Sequence, residues 1–128
     1  MTMTGLDKWY GYIKSHDRNA LWELLHPDAV FESPVVHTPQ RGADITSKYL
    51  ASAIKVLNGD SFRYLGEWRS DKSAVLEFAT DIDGITINGV DIIKFTEDGR
   101  ILHFKVMVRP LKAMNLLHQL MGKQLAMQ

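Results

Sequence analysis

Along the first half of the chain apolar side chains recur at the spacing of a helix, and along the second half they alternate, so helices are predicted first and strands afterwards. Thr4-Gly5-Leu6-Asp7 has the form of a capping box, and Leu6, Trp9, Tyr10 and Ile13 follow on one face of a helix over Gly5 to Ser15. Asp17 is placed to cap a second helix with Leu21, Leu24 and Leu25 as its stripe, and Pro27 stops it because proline lacks the backbone donor. Ala29 to Ser33 reads as a short strand and Pro34 to Gly42 as a loop. A third helix then carries Ile45, Tyr49, Ala53 and Val56 inward and ends near Asn58-Gly59.

In the second half, Phe62, Tyr64 and Trp68 alternate with Arg63, Glu67 and Arg69, which predicts a strand with one wet face. Ala74, Leu76, Phe78, Thr80 and Ile82 form the inner side of the next strand, and Asp83-Gly84 suits a hairpin turn into a long strand over Thr86 to Thr96. After Glu97-Asp98-Gly99 comes a last strand, Arg100 to Arg109, with Leu102, Phe104, Val106 and Val108 on one face and His103, Lys105, Met107 and Arg109 on the other. Pro110 fits a first helical turn, so a C-terminal helix is predicted over Leu111 to Leu125. Consecutive hairpins without intervening helices exclude a parallel α/β sheet. The predicted fold is one α+β domain over residues 1–128: a curved antiparallel sheet with the N-terminal helices in its hollow and the C-terminal helix across the opening.

Composition narrows the function classes. Fifteen Lys and Arg balance fifteen Asp and Glu without a block of either sign, so no basic stripe is present for nucleic acid or an anionic membrane. Without cysteine, disulfides, thiol catalysis and thiolate metal sites are excluded. Met1 to Lys8 holds no apolar leader core and no apolar run reaches the roughly 18 residues of a membrane span, so a cytoplasmic protein is expected. The histidines show no short ligand spacing, and no phosphate loop or nucleophile elbow is present, so neither metal nor cofactor is expected.

Asp91 breaks the apolar pattern. In its strand Ile87, Gly89, Asp91, Ile93 and Phe95 share one face and Asn88, Val90, Ile92 and Lys94 the other; Lys94 assigns the second face to solvent and so turns Asp91 inward. Parity alone also allows the reverse, with Val90 and Ile92 in the core. A carboxyl group desolvated among Ile93, Phe95 and Phe104 has its ionised form disfavoured, which raises its pKa and lets it donate a hydrogen bond.

The segment Trp9 to Pro34, with "SHDRNALWELLHPDAVFESP", and the segment "GVDIIKFTEDGRILHFKVMV" resemble the nuclear transport factor 2-like superfamily, which includes ketosteroid isomerases and SnoaL-like polyketide cyclases. The resemblance implies a cone-shaped α+β barrel, and it matches Asp91 to the aspartic acid that those isomerases keep protonated in an oxyanion hole. It matches Trp9 to the oxyanion tyrosine of the first helix, as an indole donor that cannot exchange a proton. Where the isomerases carry their base aspartate, before the proline that ends the first strand, this chain has Ser33. His37, four residues on at the predicted cone mouth, is the candidate replacement, histidine being the residue class that titrates nearest neutrality; the alternative is an exposed loop histidine. Glu32 and His103 fall on faces turned away from the hollow.

Tyr49, Tyr64, Phe78 and Phe104, with Trp9 and Ser33, are expected to line an apolar pocket for a hydrophobic small molecule, although ordinary core packing accounts for most aromatics. The leading reading is a proton-transfer enzyme, an isomerase, cyclase or dehydratase acting on a hydrophobic carbonyl compound, with Asp91 as acid, Trp9 as second donor and His37 as base. The alternatives are a non-catalytic carrier or sensor that keeps only the cavity, and an interaction module. Val75, Val90, Ile92 and Met107 on the outer sheet face suggest a homodimer under any of them.

Overall fold

The Asp7 amide donates to the Thr4 hydroxyl and the Thr4 amide to the Asp7 carboxylate, both at 3.1 Å, so the capping box starts helix α1 (Gly5–Ser15) where its residues predict. The computed structural model describes residues 4–127; Met1 to Met3, part of the segment read for a leader, lie outside them. Asp17 caps α2 (Arg18–Leu24) through the Asn19 amide. Strand β1 (Leu25–Glu32) follows at once, the two-residue β2 (Gln40–Arg41) interrupts the predicted loop, and α3 spans Ala43–Leu57. Strands β3 (Arg63–Arg69), β4 (Ser73–Ile82), β5 (Ile85–Phe95) and β6 (Ile101–Arg109) precede α4 (Leu111–Ala126).

The six strands form one sheet in the order β2-β1-β6-β5-β4-β3. Strands β3 to β6 make the expected antiparallel meander, whereas β1 runs parallel to β6, so the sheet is mixed. Pro27 lies inside β1 rather than after a longer helix. It is tolerated there because pairing with β6 is irregular between Leu25 and Val30, where no ladder donor is required. The β4–β5 hairpin turns on Asp83 and Gly84, whose φ values of 52° and 75° suit a tight primed turn.

Helix α1 lies in the hollow, with the Trp9 ring centred 4.8 Å from that of Phe104 on β6. Helix α4 packs on α3 and on β5 and β6, burying Ala113, Leu117 and Met121. Among the described residues no helix is long and apolar enough to cross a membrane.

Three faces differ from the alternation of the sequence. In α3 the buried stripe is Ala43, Ser47, Leu50, Ile54 and Leu57, with Ile45 at the surface, because the Thr46 hydroxyl donates to the Ala29 carbonyl at 3.1 Å and fixes the helix's rotation on β1. In β6 a register shift between the pairs of Lys94 and Phe95 makes Leu102 an extra residue; it is 39% exposed while Ile101 is fully buried. In β3 a shift between Tyr64 and Gly66 does the same to Leu65. Beyond it the pairs Glu67 with Leu76 and Arg69 with Ala74 belong to the inner face, and Trp68, paired with Val75, is turned out and 59% exposed. Trp68 folds its ring over Gly66, where a Cβ would meet it at 2.8 Å.

Gly89 stands on the inner face of β5, where an added Cβ would lie 2.5 Å from the Met107 carbonyl oxygen and 2.7 Å from the Phe78 ring. The carbonyl belongs to the β5–β6 ladder and cannot swing aside as a side chain would. Gly89→Ala is therefore expected to lower stability by about 2–3 kcal/mol, as overpacking does. Urea denaturation of the two proteins checks this, and an unchanged midpoint would show that the ladder yields freely.

Candidate functional site

Asp91 sits in the middle of β5, paired with Leu76 on one side and Val106 on the other, and is 6% exposed. Both cross-strand neighbours are apolar, so the carboxylate has lost water without gaining a cation. Burial pushes its pKa up to about 7, against which the hydrogen bond from Tyr64 acts weakly in the other direction. The Tyr64 hydroxyl donates to Asp91 Oδ2 at 3.2 Å and accepts from Trp9 Nε1 at 3.0 Å. Burial and the nearby Asp91 carboxyl raise the Tyr64 pKa well above the ordinary phenol value, so this hydroxyl keeps its proton.

The chain Trp9–Tyr64–Asp91 thus joins α1, β3 and β5. Trp9 has no exposed surface and packs between Phe104 and Tyr12, whose ring centre lies at 5.5 Å. Tyr64 is held edge-on between Phe62, at 5.1 Å, and Tyr10, at 5.5 Å. Phe78 and Phe104 are buried beside this network, and Tyr49 is half-buried against Phe31 at 5.9 Å.

A second polar pair continues the inner face toward solvent. The Tyr10 hydroxyl donates to Glu67 Oε1, and Arg69 Nε donates to Glu67 Oε2. These two hydrogen bonds, Tyr10's the larger influence, hold the Glu67 carboxyl below its ordinary range. Two carboxyl groups of one row, Glu67 and Asp91, therefore carry opposite shifts: one stays ionised at the rim and the other is driven toward its neutral form inside. Alternation hides Glu67, because it assigns that side chain to the wet face; the glycine inside the strand, Gly66, was the available signal of a bulge.

Other predicted site residues are not brought to Asp91. Ser33 is half-buried at the end of β1, and its Oγ accepts from the Val35 amide at 3.1 Å, so the hydroxyl shapes the turn. His37 is exposed in the loop before β2, and among the described residues no hydrogen bond ties it to the Asp91 network. Glu32 and His103 lie together on the outer face with His103 Nε2 2.7 Å from Glu32 Oε2. A cleft of about 510 Å³ opens where the start of α1 meets the β3–β4 and β5–β6 turns, lined by Thr4, Arg69, Lys72, Phe95 and Gly99 among others; Asp91 does not reach it.

Residues 6–104 match the family model of the SnoaL-like domain. No match is found among curated proteins. Among solved structures, a steroid delta-isomerase from Pseudomonas aeruginosa is 41% identical with a TM-score of 0.89, over 95% of this chain and 89% of that one. An uncharacterised protein with a cystatin-like fold from Silicibacter pomeroyi DSS-3 is 26% identical with a TM-score of 0.85, over 94% of this chain and 84% of that one. A nuclear transport factor 2-like protein of unknown function from Cytophaga hutchinsonii ATCC 33406 shares the fold at 14% identity and a TM-score of 0.63, over 88% and 96% of the two chains. The family model and the 41% identical structure agree with the order of elements, and the chain belongs to the SnoaL-like domain family within the nuclear transport factor 2-like superfamily.

Proposed function

We propose that this chain binds an apolar carbonyl compound in the hollow of its sheet and catalyses a proton transfer on it, as an isomerase, cyclase or dehydratase does. The reading rests on one observation: an aspartic acid desolvated to a pKa of about 7 and joined to a tyrosine hydroxyl on the inner wall. A carboxyl group that is neutral near physiological pH donates a hydrogen bond to a ligand oxygen, and donates most strongly when that oxygen gains negative charge in an enolate. The likeness to a steroid delta-isomerase makes a steroid ketone the first substrate to test. His37, near Ser33 in the sequence, is the proposed proton acceptor.

The engagement of the Ser33 hydroxyl in a turn favours a second reading, a carrier without a base. One assay separates the two. Conversion of a β,γ-unsaturated 3-oxosteroid to its conjugated enone is followed by ultraviolet absorbance, alongside thermal stabilisation by the same steroid. Turnover by the wild type, reduced on the order of 10²–10³-fold in Asp91→Ala, is the expected result. Stabilisation without turnover establishes the carrier instead, and neither effect removes the steroid-ketone reading altogether.

A further inference from the structure

We propose that Tyr64, from β3, is the second group that touches the ligand oxygen beside Asp91, and that Trp9 is its positioning residue. The inference rests on the proposed function and names which donors of that site meet the ligand. An indole carries a single N–H and no acceptor. In Trp9 that donor is already engaged, at 3.0 Å from the Tyr64 hydroxyl, and the residue has no exposed surface through which a ligand could approach. Tyr64 is half-buried and stands between Trp9 and the carboxyl group.

A phenol hydroxyl has one proton and two acceptor sites. While Asp91 is ionised, Tyr64 spends its proton on Oδ2 and accepts from Trp9. Once Asp91 carries its own proton, the carboxylic O–H is a donor for the ligand oxygen, and the uncharged carboxyl group is a weaker acceptor for Tyr64. The phenol proton is then free to turn to the same ligand oxygen, and the incoming hydrogen bond from Trp9 polarises it toward donation. A carbonyl or enolate oxygen meets this requirement. Among the described residues, the titratable groups that act on or near Asp91 are Tyr64 from β3 and Tyr10 from α1, with Glu67 beyond Tyr10, and its cross-strand partners Leu76 and Val106 are apolar. Edge-on contacts with Phe62 and Tyr10 fix the Tyr64 ring before any ligand arrives.

The test has a ligand-free arm and a ligand arm, in the wild type, Tyr64→Phe, Trp9→Phe and the double variant. In the first, the Asp91 carboxyl carbon is titrated by NMR. Tyr64→Phe is expected to raise the midpoint, since it removes the hydrogen bond that favours the ionised form; Trp9→Phe is expected to raise it less, and to add nothing in the Tyr64→Phe background. An equal effect of Trp9→Phe in both backgrounds would mean that the indole acts on Asp91 directly, and would overturn the assignment. In the second arm, 4-nitrophenol serves as a probe whose ionised oxygen mimics an enolate. Tyr64→Phe is expected to weaken its binding about 10–100-fold, the loss of one hydrogen bond to a charged oxygen, and Trp9→Phe about 2–5-fold. Unchanged affinity in Tyr64→Phe, with the probe bound by the wild type, sinks the Tyr64 role and leaves the proposed function standing. A wild type that binds no probe counts against the proposed function itself and takes the ligand role of Tyr64 with it, whatever the titration gives.

Discussion

Asp91→Asn is expected to remove the loss of stability that the raised pKa of Asp91 imposes on the wild type between about pH 4 and pH 8. The folded-state pKa of Asp91, about 7, is above the ordinary 3.8, so between those values the folded chain binds a proton that the unfolded chain has released. Linkage then makes stability decrease with rising pH, from full contribution below about 4 to full penalty above about 7. At about 1.4 kcal/mol per pH unit the penalty is roughly 4 kcal/mol, a large part of the 5–15 kcal/mol that holds a typical domain together. Asparagine has no proton to lose, and its carbonyl still accepts from Tyr64. Its amide group, however, meets apolar neighbours and costs about 1–3 kcal/mol at every pH if unpaired. The sign at any one pH is therefore a mixture, and the change in the difference between the two proteins is the clean measurement. Chemical denaturation at pH 4 and pH 8 should show that difference moving in favour of the variant by roughly 4 kcal/mol. Parallel stability curves would mean that Asp91 is hydrated in solution.

The second large effect comes from Trp9. Trp9→Ala empties the centre of the hollow, removes ring contacts with Phe104 and Tyr12, and leaves the Tyr64 hydroxyl without its donor. Burial losses of this kind run at about 3–5 kcal/mol, enough to bring a marginal domain close to unfolding at 37 °C. Trp9→Phe keeps most of the ring volume and gives up the N–H, so its cost should stay near 1–2 kcal/mol. Urea midpoints of the three proteins decide the matter: if Trp9→Ala falls no further than Trp9→Phe, the helix is not anchored through this side chain.

How far the sequence reveals the fold depends on whether the determining contact is local. The start of α1 is legible because Thr4 and Asp7 close a ring three residues wide. The β4–β5 hairpin is legible because Asp83-Gly84 has few other uses, and the inward turn of Asp91 is legible because β5 pairs without a break from Thr86 to Lys94. The parallel pairing of β1 with β6 is hidden, since it joins segments some seventy residues apart and leaves no periodic mark in either. The rotation of α3 is hidden for the same reason: its cause, the Thr46 bond to Ala29, is a polar contact between elements, while Ile45 and Val56 form an equally apolar stripe. At the site, composition points to an acid among aromatics. That Trp9 serves Tyr64 rather than Asp91 depends on a contact 55 residues long in sequence.

The extra residue at Leu65 decides which side chains the end of β3 presents on the inner face of the sheet. In a regular strand, the wall a side chain belongs to is decided by counting, and a bulge that leaves one residue unpaired exchanges the counted walls from that point to the strand's end. Here the exchange sends an indole outward and brings a glutamate and an arginine to the inner face. The same residues paired without the bulge would turn Trp68 inward and Glu67 outward, and so place an aromatic ring in the row of the same aspartic acid. Whether this strand bulges between Tyr64 and Gly66, more than the identity of any residue there, is then the character by which relatives that share this glutamate–arginine pair on the inner face can be sorted from those that do not.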